Sequence, residues 1–120
     1  MYGLGKDLNL NFLNGRQVGQ VAIGLSEVSF GLDEDVAITA YSEFSFFDGQ
    51  REWTWKPEEG AAQTAARTVS LLGATIERFE GQENGTLSLE FSNGQRLTIL
   101  DSSKEYESYD ITRPGSTIVV

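Results

Sequence analysis

Short runs of alternating apolar and polar or small residues recur along this chain, and they constrain its fold more than any other feature. Val28–Leu32 and Leu87–Phe91 place an apolar side chain at every second position. Because successive side chains of a strand point to opposite faces, each run predicts a strand with one buried face. Turn-forming residues such as Asn93-Gly94 separate the runs, which is typical of antiparallel hairpins.

One segment breaks the alternation and predicts an α-helix at about residues 58–72. Pro57 and the acidic residues after it favour a helix start, and Gly73 favours a left-handed helix end. Small and apolar side chains recur through the segment at helical spacing: Ala62, Ala65, Ala66, Val69 and Leu72. We expect this stripe to pack the helix closely on a sheet.

Two groups of predicted strands, at about residues 18–40 and 76–99, resemble each other in sequence. Each group has the pattern of a three-stranded meander. The similarity indicates either a duplication or the likeness that alternation imposes on any two meanders. We therefore expect a single α+β domain over residues 1–120, with mainly antiparallel sheets of six to eight strands and the helix packed on the sheet.

Composition removes several function classes. The chain of 120 residues has no cysteine and no histidine, so thiolate metal sites and the commonest general base are excluded. We therefore expect no enzymatic activity and no cofactor. The net charge of −9 opposes binding to nucleic acid, which has the same sign. No apolar stretch approaches a membrane span and no signal peptide is evident, so we expect a cytoplasmic protein.

Acidic residues and tyrosines alternate near the carboxyl end and form the main candidate binding site. The residues predicted to contact a partner are Asp101, Glu105, Tyr106, Glu107, Tyr109 and Asp110. Tyrosine rings supply contact area, and carboxylates steer and pair with basic groups, so the pattern favours a basic protein partner. The alternative is an edge strand that its charges protect from aggregation.

Two other candidate sites have different functional implications. Glu43 lies in an aromatic run, and alternation puts Trp53 and Trp55 on one face, so these residues could line a site for a small ligand or carbohydrate. The alternatives are a solvent-facing glutamate and two core indoles. The predicted final strand, residues 116–120, could instead add to a neighbour's sheet and form an assembly such as a homodimer.

A set of short motifs gives the chain a family likeness. Leu-Leu-Gly-Ala at residues 71–74 is followed by Gly-Thr-Leu-Ser-Leu-x-Phe at 85–91 and by Tyr-Glu-Ser-Tyr-x-Ile at 106–111. In this order the chain resembles a widespread family of small uncharacterised bacterial domains, over about residues 12–120. In size and charge it is also similar to immunity proteins, which neutralise a toxin by binding it. That similarity implies a basic toxin as partner.

Overall fold

The computed structural model describes residues 2–5, 8–59, 62–104 and 106–120 and consists mainly of antiparallel strands. Its strands are β1 (Val18–Ile23), β2 (Val28–Leu32), β3 (Ala37–Ala40), β4 (Phe44–Phe47), β5 (Glu52–Trp55), β6 (Ile76–Gly81), β7 (Leu87–Phe91), β8 (Arg96–Ile99), β9 (Tyr109–Arg113) and β10 (Ser116–Val119). The α-helix is α1 (Ala62–Arg67), and 3-10 turns lie at Asn11–Leu13, Pro57–Glu59 and Thr68–Leu71. The antiparallel α+β prediction is confirmed. The predicted strand number is wrong, because the described residues form ten strands.

The strands form two five-stranded sheets that share one core. The first sheet has the order β1-β2-β3-β9-β10 and the second β5-β4-β8-β7-β6. Buried side chains from both sheets belong to a single apolar cluster. Phe30 of the first sheet meets Phe44 of the second edge-on, with ring centroids 5.8 Å apart. The two sheets therefore pack face to face and stabilise each other.

The strand number exceeds the prediction partly because one continuous run of the sequence, predicted as a single strand, forms two strands in the structure. From Val36 to Phe46 the apolar residues keep the same parity, with Ser42 as the one polar residue among them. In the structure the chain leaves the first sheet after β3, crosses at Tyr41–Glu43 and enters the second sheet as β4. Ala40 and Phe44 are both fully buried, so the side-chain alternation survives the crossing. Alternation alone therefore does not show where a chain changes sheets.

The helical segment is shorter and tighter than predicted. After α1 ends at Arg67, the chain continues as a 3-10 turn over Thr68–Leu71. The buried positions are Ala65, Thr68 and Leu71, which have the three-residue spacing of a 3-10 helix. Val69 and Leu72 of the predicted stripe are instead 44% and 47% exposed. The predicted packing stripe is wrong because it assumed the 3.6 residues per turn of an α-helix, whereas a 3-10 helix has three residues per turn.

Each sheet is assembled from both halves of the chain. The first half supplies β1–β5 and the second supplies β6–β10. Each half places its first three strands in one sheet and its last two, as a hairpin, in the other. The β9–β10 hairpin pairs with β3, and the β4–β5 hairpin pairs with β8. Neither half therefore completes a sheet with its own strands.

The two halves are related by an approximate twofold axis. β1 and β6 have the same pattern of buried and exposed positions, as do β2 and β7. Hydrogen bonds between the halves also occur in reciprocal pairs. The Gly15 N–H donates to the Ile76 carbonyl over 2.8 Å, and the equivalent Gly73 N–H donates to the Val18 carbonyl over 2.9 Å. The repeated strand groups of the sequence thus correspond to a repeated structure.

The turn between β2 and β3 holds two acidic residues in the left-handed region. Glu34 has φ 57° and Asp35 has φ 62°. In the equivalent turn between β7 and β8, Gly94 occupies the position of Asp35, with φ 83°. A side chain is unfavourable in this region because its Cβ crowds a backbone carbonyl oxygen. Arg16 contacts the turn, with its Nη1 2.8 Å from the Glu34 carboxylate.

Replacing Asp35 with glycine is expected to raise the free energy of unfolding by about 0.5–1 kcal/mol. The change relieves the unfavourable backbone conformation, and part of that gain is offset by the greater freedom of glycine in the unfolded chain. Urea denaturation measures the effect. The matched control is Gly94→Ala, which should lower stability by about 1 kcal/mol, since a Cβ there meets no atom within 4 Å and only the backbone changes. A loss of stability in Asp35→Gly would contradict this interpretation.

Candidate functional site

The segment between β8 and β9 is an insertion relative to the other half. Residues Tyr41–Glu43 connect β3 to β4, whereas residues 100–108 make the equivalent connection from β8 to β9. The two connections exchange equivalent backbone hydrogen bonds at their ends. Only residues 102–107, which we call the insertion, therefore lack a counterpart. The fold does not require the insertion, because the other half makes the same crossing without it.

Hydrogen bonds fix the base of the insertion. The Asp101 carboxylate accepts the Gly3 N–H over 2.7 Å and the Ser108 hydroxyl over 2.7 Å. The Ser108 hydroxyl oxygen in turn accepts the Ser103 N–H over 3.0 Å. On the other side, the hydroxyl oxygens of Ser42 and Ser102 lie 2.6 Å apart. Asp101 was predicted to contact a partner, but its carboxylate is engaged in holding the insertion.

Tyr109 does not belong to the binding surface. Its side chain is fully buried, and its hydroxyl donates to the Gly85 carbonyl over 2.6 Å. Burial raises the pKa of this hydroxyl above its ordinary value. Alternation along β9 turns Tyr109 and Ile111 inward and leaves Asp110 facing outward. The predicted contact by Tyr109 is therefore wrong, because the residue is part of the core.

The remaining predicted residues differ in accessibility. Tyr106 is 64% exposed, while Glu107 and Asp110 are partly buried. Glu105 lies outside the described residues. The Asp110 carboxylate accepts a hydrogen bond from the hydroxyl of Tyr41, 3.0 Å away. Tyr41 was not among the predicted contact residues. No local signal joins residues 41 and 110, because the contact arises only when β9 pairs with β3.

The Tyr41 hydroxyl lies in an acidic environment. Burial raises the pKa of Tyr41, and the hydrogen bond to Asp110 and the charges of Asp110, Glu107 and Glu27 raise it further. Burial also raises the pKa of Glu107, with a further contribution from Asp110. None of the three carboxylates forms an ion pair with a described lysine or arginine. We call Glu27, Tyr41, Tyr106, Glu107 and Asp110 the Tyr41 surface.

A shallow recess adjoins the Tyr41 surface. It has a volume of roughly 390 Å³, and its lining includes Tyr41, Tyr106, Glu58 and Lys104. A larger recess of about 620 Å³ lies elsewhere, where the amino-terminal segment meets β6, and its lining includes Leu8 and Phe79. The larger recess contains none of the predicted site residues. The smaller one adds concave polar area to the Tyr41 surface.

The second predicted site is mostly closed. Trp55 is buried and stacks on Phe44, with ring centroids 5.1 Å apart. Trp53 lies on the same face of β5 as Trp55. The Arg67 guanidinium covers the Trp53 ring at 3.5 Å, and the Trp53 indole N–H donates to Asp48 over 3.0 Å.

Glu43, the remaining residue of that site, is partly exposed, and its carboxylate lies 3.8 Å from the Lys56 ammonium. These three side chains therefore do not line an open cleft.

The third predicted site, the last strand, lies at an edge. β10 is the outermost strand of the first sheet and pairs only with β9 among the described strands. Within the described residues, no cluster of acidic side chains has an arrangement that could hold a metal ion. No helix in the described part of the chain is long and apolar enough to cross a membrane.

Comparison with known families assigns most of the chain to one family. The model of a family described as a family of unknown function, DUF6188, matches residues 10–120. The matched range includes both sheets, the insertion and all of the Tyr41 surface. Comparisons with curated proteins and with solved structures find no match. The chain therefore belongs to DUF6188, a family of unknown function.

Proposed function

We propose that this protein is a non-enzymatic binding domain that uses the Tyr41 surface to hold a basic protein, most concretely as an immunity-type inhibitor of a basic toxin. The observation that carries the proposal is the insertion, which adds acidic and aromatic residues at a crossing that the fold makes without them. Its acidic character suits a cationic partner. Occlusion of the toxin's basic site would be the mechanism of inhibition.

Comparison of the two halves shows which residues of the Tyr41 surface the architecture does not require. The positions equivalent to Tyr41 and Asp110 are Leu100 and Ser45. The hydrogen-bonded tyrosine–aspartate pair is therefore not needed to form this crossing. Residues that the architecture does not require, placed together on the surface, support a role in binding.

The negative charge of Glu107 is unfavourable in the free protein. Glu107 is partly buried, and burial together with the charge of Asp110 raises the pKa of Glu107, which disfavours its ionised form. A lysine or arginine from a partner would compensate this charge. The exposed ring of Tyr106 would contribute apolar contact area next to it. Binding would thus relieve a local cost that the free domain retains.

Reversing Glu107 and Asp110 to lysine is expected to abolish capture of a basic partner. The variant removes two attractive charges and introduces two repulsive ones, so association should slow and binding should weaken strongly. The measurement is affinity capture from a lysate of the source organism at low and moderate salt, with bound proteins quantified by mass spectrometry. The control is Glu77→Lys with Glu80→Lys on β6, which changes the net charge equally on an exposed strand of the other sheet.

Deletion of residues 102–107 provides a second test that leaves the sheets intact. It joins Asp101 directly to Ser108, as Ser42 joins Glu43 in the other half. The deleted chain should retain its far-ultraviolet circular dichroism and cooperative unfolding, but should not capture the partner. If the deletion and the lysine variant retain the same basic proteins as the control, the Tyr41 surface is not the binding site.

Glu107→Gln is expected to raise the melting temperature near neutral pH while weakening partner binding. The pKa of Glu107 is raised above its ordinary 4.5 in the folded state, so ionisation costs stability as pH rises through that range. The variant removes this cost, and the difference should vanish below about pH 4, where both states are protonated. Thermal unfolding across pH measures it. A lower melting temperature for the variant near neutral pH would contradict a destabilised carboxylate.

Two other functions, binding of a small ligand and assembly through β10, are each supported by fewer observations. Binding of a small ligand or carbohydrate at Glu43, Trp53 and Trp55 would require Arg67 to leave the Trp53 ring. Assembly through β10 is favoured by its edge position, and a strictly monomeric protein at all concentrations would count against it.

A further inference from the structure

The two halves of the chain hold each other through exchanged hairpins. Phe44 and Phe46 of the β4–β5 hairpin are fully buried in the second sheet, and Tyr109 and Ile111 of the β9–β10 hairpin are fully buried in the first. The core thus depends on each half receiving the hairpin of the other. Such reciprocal exchange is the arrangement of a domain-swapped dimer, here formed within one chain.

One segment alone joins the halves covalently. Residues 56–67 run from the end of β5 to the last residue before the 3-10 turn at Thr68–Leu71, and they include α1. Every strand pairing between the halves would be the same if the second half came from another molecule. Only the path of residues 56–67 would differ. We propose that the chain can exchange halves with a second copy of itself, giving a dimer in which each two-sheet unit combines both chains.

The Tyr41 surface would then be shared between molecules. Tyr41 belongs to the first half, whereas Glu107 and Asp110 belong to the second, and they meet because β9 pairs with β3. In the exchanged dimer, each of the two surfaces takes Tyr41 and Glu27 from one chain and Tyr106, Glu107 and Asp110 from the other. The dimer presents the surface twice, which would strengthen binding to a partner with two sites.

Charge and concentration set how readily the dimer forms. Each two-sheet unit has the full net charge of −9, so two tethered units repel one another. Salt screens this repulsion over about 10 Å at 0.1 M. Dimer formation also increases with protein concentration by mass action. Refolding at high concentration and high salt should therefore give the most dimer.

The contact between the halves offers a specific reporter. Gln17 and Thr75 form an antiparallel bridge across the approximate twofold axis. The hydrogen bonds on either side, from the Val18 N–H to Ala74 and from the Ile76 N–H to Arg16, place them as a non-hydrogen-bonded pair. Such pairs have Cα atoms about 4.5 Å apart, which suits a disulfide. The chain has no cysteine of its own to interfere.

The test uses two full-length variants, Gln17→Cys and Thr75→Cys. They are mixed, unfolded under reducing conditions, refolded together at high concentration and salt, and then oxidised. We expect a disulfide-linked heterodimer joining positions 17 and 75, identified by peptide mass spectrometry and increasing with concentration. The same mixture oxidised without unfolding should contain almost none. Within one exchanged dimer a cysteine at 17 faces position 75 of the other chain, so homodimers linked 17–17 are not expected.

A double variant, Gln17→Cys with Thr75→Cys, checks the geometry independently. Oxidised from the native state, it should close the disulfide within one chain. Failure to close would overturn the pairing on which the proposal rests. Refolded mixtures of the single variants that contain only monomers at every concentration, or dimers without the 17–75 link, would overturn the exchange itself.

Discussion

Tyr109→Ala is expected to lower the free energy of unfolding by about 3–5 kcal/mol. The ring is among the largest fully buried side chains, and the hydroxyl donates to the Gly85 carbonyl over 2.6 Å. Truncation leaves a cavity at the first residue of β9 and removes the partner of a buried carbonyl. Because β9 joins β3 to β10, the loss weakens the attachment of the whole hairpin. Chemical denaturation followed by circular dichroism measures the effect.

Two controls separate the causes of this loss. Tyr109→Phe keeps the ring and removes only the hydroxyl, so it should cost about 1–2 kcal/mol. Tyr106→Ala, on the exposed insertion, should change stability by less than about 0.5 kcal/mol. A cost for Tyr106→Ala as large as that for Tyr109→Ala would mean that the assignment of core and surface tyrosines is reversed.

Phe44→Ala is expected to destabilise the protein by about 3–5 kcal/mol through the other hairpin. Phe44 is the position equivalent to Tyr109. It stacks on Trp55 at 5.1 Å with an interplanar angle of 22°, and it meets Phe30 of the opposite sheet. Its loss removes contacts both within the hairpin and between the sheets. Denaturation followed by tryptophan fluorescence measures it, since Trp55 loses its stacked neighbour.

The matched control for Phe44 is Phe47→Ala, in the same strand but on the other face. Phe47 is only partly buried, and the Arg96 guanidinium lies 5.1 Å from its ring. This variant should cost about 1 kcal/mol, the size of a surface ring contact. Equal costs for the two variants would argue against a core that lies on the Phe44 face of β4.

Alternation in the sequence predicted side-chain direction well. The inward positions of β2 and β7 and the burial of Phe44 and Phe46 follow from it directly. Alternation also predicts that Tyr109 points inward, because it lies two residues before Ile111 and on the same face of the strand. Tyr109 was nevertheless assigned to the surface because acidic neighbours surround it in sequence. Within a strand, alternation is better evidence for burial than the charge of neighbouring residues, since alternation follows from backbone geometry.

Sequence patterns predicted the two meanders but not the pairings between strands from different halves of the chain. The partners β3 and β9 lie far apart in sequence, and so do β4 and β8, so no turn residue records their pairing. The same distance hid the contact between Tyr41 and Asp110. The 3-10 turn at Thr68–Leu71 was missed for another reason. Its residues fit both helical spacings, and burial of Thr68, whose hydroxyl donates to the Ala65 carbonyl, decides between them.

Exchanged hairpins also determine when this protein can fold during translation. As the ribosome releases the first half, β3 lacks the neighbour that β9 will supply, and β4 lacks its neighbour β8. β8 is synthesised before the last hairpin, but the first sheet stays incomplete, and its core open to water and to chaperones, until β10 has been synthesised. Contacts between residues so distant in sequence also slow folding. We therefore expect the nascent chain to fold only after β10 has been synthesised and to be at its most aggregation-prone just before then.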